Sequence, residues 1–183
     1  MKGWRALKAF LERAGLPGRR LLVSLDFDGT LAPLAPRPKQ ARLPPRTRAL
    51  LSRLACWPSL RLSIVSGRSL ADVKRHVAVP GIHYAGNHGL EIEGPDLRWR
   101  HAAARTARPL VMDLALALRE RVRGMRGVFV EDKGLTLSVH YRLAPPATRP
   151  RIRGLVVRAL RPHARRLALA RGLPDGPGRP AAR

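Results

Sequence analysis

The fold of this chain is decided by the stretch Leu21-Leu22-Val23-Ser24-Leu25-Asp26-Phe27-Asp28-Gly29-Thr30-Leu31. A short apolar run that leads straight into polar residues predicts a strand buried on both faces, as in a parallel sheet. Two acidic residues, Asp26 and Asp28, follow the run at once. Open α/β sheets bind their ligands beyond the carboxyl ends of the strands. The sequence therefore predicts an α/β fold with a binding site at the end of this strand.

The spacing of Asp26 and Asp28 lets both carboxylates face one cavity, because residues i and i+2 point the same way on an extended backbone. Like charges this close are costly unless a cation or a proton lies between them. Mg²⁺ suits the position, since it binds one or two carboxylates together with phosphate oxygens. Gly29 permits a tight turn, and Thr30 can direct its hydroxyl and its backbone N–H towards an anion. The stretch thus predicts a magnesium and phosphate site.

Two common acidic motifs, the EF-hand loop and the kinase Asp-Phe-Gly, do not fit the residues around the paired acids. A calcium-binding EF-hand loop needs further oxygen ligands and a closing Glu, whereas Pro33 and Pro36 follow here. The kinase motif fails because Asp28 stands in the place of the glycine. The stretch resembles instead the first motif of the haloacid-dehalogenase superfamily of phosphotransferases, a strand that ends in Asp-x-Asp-Gly-Thr.

The chain is strongly basic: 36 Lys and Arg residues against 12 Asp and Glu residues give a net charge of +24 over 183 residues. Such a field favours anionic ligands. The arginines are spread along the chain, and aromatic residues make up only 4% of it. Without a recognisable nucleic-acid-binding motif, we expect no specific nucleic-acid partner.

The cellular setting is inferred from what surrounds these motifs. No apolar run approaches the ~20 residues of a membrane span, and the N-terminus has no secretory signal pattern. The single cysteine, Cys56, lies beside Trp57 in a predicted helix and is expected in the core. We therefore expect a cytoplasmic monomer that binds no membrane.

A second motif follows a second predicted strand, Leu60-Arg61-Leu62-Ser63-Ile64-Val65. A helix precedes this strand, so the two strands and the helix form a βαβ unit, whose right-handed crossover makes the strands parallel. The second strand ends in Ser66-Gly67-Arg68, and Ser69 with Asp72 predicts a helix N-cap. A hydroxyl, a glycine amide and a helix N-terminus together suit a phosphate group.

The rest of the chain predicts further strands and helices. A strand at residues 82–85 leads into Gly86-Asn87-His88-Gly89-Leu90-Glu91, followed by a short hairpin. An amphipathic helix is predicted from Pro109 to Arg123, with Gly124 as its stop. Two strands around the turn Asp132-Lys133-Gly134 and a last helix at residues 150–161 complete the pattern.

Four strings together resemble the trehalose-6-phosphate phosphatase family: Asp26-Phe27-Asp28-Gly29-Thr30-Leu31-Ala32-Pro33, Ile64-Val65-Ser66-Gly67-Arg68, Gly86-Asn87-His88-Gly89-Leu90-Glu91 and Val130-Glu131-Asp132-Lys133-Gly134-Leu135-Thr136-Leu137-Ser138-Val139-His140-Tyr141-Arg142. The resemblance covers residues 21–146. It implies an α/β fold with an incomplete doubly wound parallel-sheet core of haloacid-dehalogenase type and a small α/β cap. Residues 1–105 would belong to the core, residues 106–170 to the cap, and residues 171–183 to a low-complexity tail.

The same resemblance implies the removal of phosphate from trehalose 6-phosphate, a small-molecule sugar phosphate, with Mg²⁺ as cofactor. Asp26 would be the nucleophile that forms an aspartyl-phosphate, and Asp28 would be the general acid and base. Mg²⁺ would bind the Asp26 carboxylate and the Asp28 backbone carbonyl, and Ser66 would hold a phosphoryl oxygen. The substrate-binding residues would be Gly29, Thr30, Gly67, Arg68, Asn87, His88, Glu131 and Lys133.

The chain departs from the superfamily pattern after the cap. The superfamily carries a Lys and an acidic pair there, whereas this chain has no lysine after Lys133 and only Asp175 as an acid after Asp132. We therefore expect a truncated or frame-shifted product with weak activity. The alternatives are another capped sugar phosphatase, such as a sucrose-phosphate phosphatase, and an inactive remnant with a basic anion-binding surface.

Overall fold

The structure is a computed structural model, and it describes residues 21–35 and 37–169 together with Ala9 and Glu12. The chain divides into two compact units, Met1–His101 and Ala102–Arg183. The assignment of a catalytic core to residues 1–105 and of a cap to residues 106–170 stays a prediction. The predicted tail, residues 171–183, lies outside the described residues.

The first unit is built on a mixed five-stranded sheet with the order β1-β2-β3-β4-β5. Its strands are β1 (Leu21–Asp26), β2 (Leu60–Val65), β3 (His83–Gly86), β4 (Glu91–Glu93) and β5 (Arg98–Arg100). The first three strands are parallel, and β4 and β5 join the sheet antiparallel. The predicted parallel pairing of β1 with β2 is confirmed, as is the hairpin that connects β4 to β5.

Two helices cross between the parallel strands: α1 (Pro45–Ala55) and α2 (Leu70–Val77). The predicted N-cap of α2 is confirmed, because the Ser69 side chain accepts a hydrogen bond from the backbone N–H of Asp72. Capping by Ser satisfies one of the free N–H groups in the first turn and typically adds ~1 kcal/mol to stability. This cap fixes the start of α2 directly beyond the Ser66-Gly67-Arg68 motif.

The core of the first unit lies between the sheet and these helices. Its fully buried side chains include Phe27, Ile64, Val73 and Val77, each with 0% exposure. Complete burial of such a side chain contributes roughly 1.5–3 kcal/mol relative to leaving it in water. Phe27 comes from the motif itself, so the core anchors the backbone between Asp26 and Asp28.

The prediction that β1 is buried on both faces is wrong. Its residues alternate between half-buried and exposed, and Leu22 is 66% exposed. Leu21, Val23 and Leu25 pack against the core on one face, whereas no described element covers Leu22 on the other. Within the described residues β1 is also an edge strand, with β2 as its neighbour.

The prediction that Cys56 belongs to the core is also wrong, because its side chain is exposed. Cys56 is the C-cap residue of α1 and lies just beyond the last helical turn. The apolar face of α1 is formed by Leu51 and Leu54, which are buried. Cys56 has left the helical repeat and therefore does not share that face.

The second unit contains the helices α3 (Ala102–Arg121) and α4 (Arg149–Leu160) and the strands β6 (Phe129–Asp132) and β7 (Leu137–His140). The two strands pair antiparallel around the predicted turn. Ala115, Leu118, Val122 and Val130 form the centre of its core.

The predicted start of the first helix of this unit, at Pro109, is wrong. Helix α3 begins at Ala102, and Pro109 lies inside it. Proline removes one backbone donor from a helix, but the preceding segment contains three alanines in a row, which are the strongest helix formers. The helix therefore runs through the proline.

Among the described residues, no helix is both long enough and apolar enough to span a bilayer.

Candidate active site

The candidate site lies at the carboxyl ends of β1 and β2, which are neighbouring parallel strands. Asp26 is the last residue of β1 and lies beside Val65, the last residue of β2. Ser66 follows Val65 directly. Since adjacent strands are only ~4.8 Å apart, the two predicted motifs are brought together at one edge of the sheet.

The turn after β1 presents Asp26 to solvent. Phe27 is buried, and its carbonyl accepts hydrogen bonds from the N–H groups of Leu31 and Ala32. Gly29 has a φ of 87°, a conformation that only glycine adopts without strain. The hydroxyl of Thr30 lies 3.5 Å from Asp26 Oδ2, at the outer limit of a hydrogen bond. Asp26, Gly29 and Thr30 are all exposed, so an incoming anion can reach them.

The turn after β2 is held much more tightly. Ser66 is 2% exposed, and its Oγ accepts a hydrogen bond from the backbone N–H of Arg68 at 3.2 Å. Its own N–H donates to Ala85, and its carbonyl accepts from His88. A serine hydroxyl also carries one donor, so Ser66 can still offer its O–H to a phosphoryl oxygen.

Arg68 lies between two carboxylates. Its Nε and Nη2 atoms donate to the two oxygens of Asp28 at 2.8 and 2.7 Å, and its Nη1 donates to Asp72 at 2.7 Å. The guanidinium is 2.7 Å from Asp28 with only 5% of the Arg68 side chain exposed, and it lies 5.1 Å from the centre of the Phe27 ring. The structure thus brings Asp28 and Arg68 together through a partly buried bidentate ion pair.

This arrangement shifts the pKa values of the Arg68 and Asp72 side chains. Burial alone would lower the pKa of Arg68, but the hydrogen bonds to Asp28 and Asp72 outweigh it and raise that pKa. Burial alone would raise the pKa of Asp72, but the Arg68 hydrogen bond and the nearby His76 and Arg75 lower it overall. Both groups are therefore held in their charged forms.

Gly67 and His88 approach each other closely. A Cβ atom at Gly67 would overlap with the Cε1 atom of the His88 ring, so a larger residue there requires the imidazole to move. His88 has a φ of 57° and Asn87 a φ of 50°, in the left-handed region where Asn and His occur more often than most residues. His88 is exposed at the site.

Asn87 is placed beneath the site rather than on its surface. It is fully buried, and its Nδ2 donates to Glu91 Oε1 at 2.8 Å. The same oxygen accepts from the N–H of Leu70, the first residue of α2. Glu91 therefore ties the turn that carries His88 to the start of α2.

Two predicted substrate-binding residues, Glu131 and Lys133, belong to the second unit. Glu131 Oε2 lies 2.7 Å from Nε2 of His140 across the β6–β7 hairpin. The backbone N–H of Lys133 donates to Thr136 and closes the turn. The hairpin thus fixes both backbones, and their contacts with a substrate stay a prediction.

Asp72 and Glu91 are the residues that sequence reasoning missed. The sequence predicts Asp72 only as part of a helix cap, although its position four residues after Arg68 favours an ion pair between them. Glu91 follows His88 by three residues within the same motif, but nothing in the sequence indicates that its side chain reaches α2. The spacing of Arg68 and Asp72 in the sequence could have indicated their ion pair. The contact of Glu91 with α2 could be found only from the folded structure.

The donor atoms at this site fit a magnesium ion in part. Among residues 21–35 and 37–169, no three His, Cys, Asp or Glu side chains are grouped to hold a metal. The exposed Asp26 carboxylate and the backbone carbonyl of Asp28 are hard oxygen donors of the kind Mg²⁺ prefers. The Asp28 carboxylate is not among them, since Arg68 holds both of its oxygens.

Comparison with known families identifies similar proteins. A family model described as trehalose-phosphatase matches residues 24–163. The trehalose-phosphate phosphatase of Mycobacterium tuberculosis is 39% identical over 165 residues, which cover 90% of this chain and 41% of that protein. The trehalose-phosphate phosphatase of Mycobacterium marinum is 40% identical over 140 residues, which cover 76% and 35%. The chain thus spans less than half the length of these curated relatives.

Solved structures show the same fold. A trehalose-6-phosphate phosphatase related protein superposes with a TM-score of 0.71 at 22% identity, covering 79% of this chain and 62% of that one. The C-terminal domain of the C. albicans trehalose-6-phosphate phosphatase superposes with a TM-score of 0.63 at 24% identity, covering 80% and 51%. The predicted α/β fold is therefore confirmed.

Proposed function

Because the chain belongs to the trehalose-phosphatase family, we propose that it removes phosphate from trehalose 6-phosphate and releases trehalose. The observation that carries this proposal is the exposed carboxylate of Asp26 at the end of β1, directly beside the β2 end that leads into Ser66. A carboxylate that meets solvent at the edge of a parallel sheet can reach a phosphorus atom, and the neighbouring hydroxyl can hold one of its oxygens.

In the first step, an oxygen of Asp26 attacks the phosphorus and the bond from phosphorus to the sugar oxygen breaks. The leaving sugar oxygen takes a proton from Asp28. In the second step, a water oxygen attacks the phosphorus, Asp28 takes a proton from that water, and the bond to Asp26 breaks. Inorganic phosphate and the unchanged aspartate are left.

The residues around Asp26 support this reaction by position and charge. The Thr30 hydroxyl at 3.5 Å from Asp26 and the hydroxyl of Ser66 offer donors to phosphoryl oxygens. Donors held in place before the reaction stabilise charge in the transition state without reorganisation. The backbone of Ser66 is already fixed by bonds to Ala85 and His88, which makes it a suitable donor of this kind.

Magnesium is part of the proposal. The Asp26 carboxylate and the Asp28 backbone carbonyl would hold the ion. When bound, Mg²⁺ would neutralise charge on the phosphoryl oxygens.

Substrate recognition is proposed for exposed residues of the candidate site and for two residues of the β6–β7 hairpin. His88, Gly29 and Thr30 are exposed at the edge of the sheet and suit direct contact with the substrate. Gly67 leaves the space in which the His88 ring lies. Asn87, Arg68, Glu131 and Lys133 complete the proposed set, Asn87 by supporting the turn that carries His88 and the last two by reaching the sugar hydroxyls.

We propose further that the protein acts in the cytoplasm as a monomer, without a membrane or a specific nucleic-acid partner. Its strongly basic charge would draw an anionic sugar phosphate towards it.

The test is product formation by the purified chain. The chain is incubated with trehalose 6-phosphate and Mg²⁺, and both trehalose and phosphate are measured against time; sucrose phosphate serves as the comparison substrate. We expect equal amounts of trehalose and phosphate, and faster release than from sucrose phosphate. The Asp96→Asn variant, which changes an exposed acid paired with His83, should match the wild type. No release of either product, or faster release from sucrose phosphate, would contradict the proposal.

A further inference from the structure

Arg68 is buried, yet it has a carboxylate on each side. Two of its nitrogens bind Asp28, and a third binds Asp72. The acids differ in exposure: the Asp28 side chain is 35% exposed, whereas that of Asp72 is 17% exposed. Asp28 is thus the more exposed partner of Arg68, and Asp72 is the more buried one.

Asp72 is fixed by its own surroundings. It lies in the first turn of α2, where its backbone N–H donates to the Ser69 side chain at 3.3 Å. A negative charge is favoured at that end of a helix. Its second oxygen accepts from Arg75 at 2.6 Å. Asp72 is therefore a stationary counterion for Arg68.

Asp28 is placed differently. It belongs to the turn after β1, and the proposed reaction requires its carboxylate to reach first the sugar oxygen and then a water. In the structure both of its oxygens are bound to Arg68. Asp28 must therefore loosen from Arg68 in each catalytic cycle, and a buried guanidinium left without any partner would be strongly unfavourable.

We propose that Asp72 acts through Arg68 as a positioning residue for Asp28. Because Asp72 keeps the buried guanidinium paired, Asp28 can turn towards the reacting oxygen and return to the same bidentate position. This inference rests on the proposed function, since it assigns a role within the same reaction. Arg68 is accordingly a positioning residue as well, one step closer to the reacting atoms.

The proposal predicts what happens when the stationary counterion is removed. In Asp72→Asn the volume and the Ser69 cap are kept, but Arg68 has Asp28 as its remaining carboxylate partner. Asp28 is then held more firmly against Arg68 and reaches the oxygen of the leaving group less often. The first step should therefore slow with trehalose 6-phosphate, whose leaving sugar oxygen needs a proton. It should change little with p-nitrophenyl phosphate, because p-nitrophenolate leaves without a proton.

The experiment compares single-turnover rates of the first step for trehalose 6-phosphate and p-nitrophenyl phosphate. For Asp72→Asn we expect a fall of roughly 10- to 100-fold with trehalose 6-phosphate, an unchanged KM, and a change of less than about threefold in the p-nitrophenol burst. Asp72→Glu should recover part of the loss, because it restores the charge.

Arg75→Gln is the matched control. It removes a partner of Asp72 other than Arg68 from an exposed position, 74% exposed at the Arg75 side chain, and leaves the Arg68 contacts in place. Its rates with both substrates should equal those of the wild type, because the Ser69 cap and the Arg68 hydrogen bond still hold Asp72 in place. Circular dichroism of each variant verifies that the fold is retained.

The outcomes separate this inference from the function on which it rests. If the wild type releases no phosphate from either substrate, the proposed function is overturned. If the wild type is active but Asp72→Asn loses the same factor on both substrates, or loses nothing, the positioning role is overturned alone.

A second measurement tests the geometry without any substrate. The Nε–H proton of Arg68, assigned by its loss in Arg68→Lys, should exchange slowly in NMR spectra of the wild type and of Asp72→Asn. It should exchange faster in Asp28→Asn, where the charged acceptor is gone. Unchanged exchange in Asp28→Asn would overturn the bidentate contact on which the inference depends.

Discussion

The turns that follow β1 and β2 form the same candidate site in opposite ways. After β1, Asp26 and Thr30 are exposed, and the contact between them is a long 3.5 Å. After β2, Ser66 and Arg68 are 2% and 5% exposed, and Arg68 makes three short hydrogen bonds to carboxylates. The first turn presents the Asp26 carboxylate to solvent, and the second turn supplies the buried Arg68 side chain that binds Asp28.

The difference in exposure matches two different roles, that of a group that reacts and that of a group that holds other groups in place. A nucleophile must meet an incoming phosphate, so it cannot be enclosed by its own protein. A supporting group must keep its geometry, which buried hydrogen bonds provide because the low dielectric of the interior strengthens them. Substitutions of the buried Ser66 and Arg68 should therefore affect both folding and rate, whereas substitutions of the exposed Asp26 and Thr30 should affect rate alone.

The largest effect on folding is expected for Arg68→Met, which leaves two acids facing each other without their cation. Breaking a buried ion pair typically costs 3–5 kcal/mol, and we expect a loss of about 3 kcal/mol in the free energy of unfolding, because Asp28 is 35% exposed and water can solvate it. Urea denaturation measures it. Arg61→Met is the control, since Arg61 pairs with Asp96 at 3.8 Å with side-chain exposures of 47% and 60%, and such surface pairs contribute about 0–1 kcal/mol. Equal losses in the two variants would remove the distinction between buried support and exposed surface.

A smaller effect is expected for Gly67→Ala, because the new methyl group would displace the His88 ring. The ring is exposed and can move, so unfolding should change by less than about 1 kcal/mol. Misplacement of a substrate contact, however, lowers kcat/KM, and we expect a fall on the order of 10- to 100-fold with trehalose 6-phosphate. Gly154→Ala in α4 is the matched control, where the nearest atom is the flexible end of Arg158 at 3.3 Å. An unchanged kcat/KM in Gly67→Ala would place His88 outside substrate binding.

The smallest effect is the pH dependence of stability at Asp72. Its pKa in the folded protein lies below the ordinary value of 3.8. The stability that it adds is therefore present above 3.8 and is lost as the pH falls through the lower folded value. The difference in unfolding free energy between the wild type and Asp72→Asn should be largest near neutral pH and should shrink as the pH falls below the ordinary value of 3.8. A difference that does not vary with pH would mean that the charge of Asp72 adds nothing to folding.

Much of the first unit could be predicted from local patterns. The apolar runs of β1 and β2 end in polar motifs, and the short helical segment between them leaves a parallel crossover as the favourable connection. The Ser69 cap could be predicted in the same way, since the spacing to Asp72 is set by helix geometry alone. These features depend on neighbours in sequence.

The predictions that are wrong concern contacts between residues far apart in the sequence, which a local pattern cannot indicate. The apolar residues of β1 gave no sign that Leu22 would be uncovered, because coverage depends on which elements lie on each face. The apolar neighbours of Cys56 predict a core position, although the residue follows the last helical turn and is exposed. The burial of Asn87 depends on Glu91, whose side chain reaches α2 only once β4 has paired with β3.

The most direct test of the account is to trap the covalent intermediate on Asp26. The chain is mixed briefly with trehalose 6-phosphate and Mg²⁺, quenched in acid and reduced with borohydride, which converts an aspartyl-phosphate to homoserine. Peptide mass spectrometry then locates the change, with Asp26→Asn and Asp28→Asn as comparisons. The account predicts homoserine at position 26 in the wild type and none in Asp26→Asn. Homoserine at position 28 or at another acid, or turnover of trehalose 6-phosphate that persists in Asp26→Asn, would contradict it.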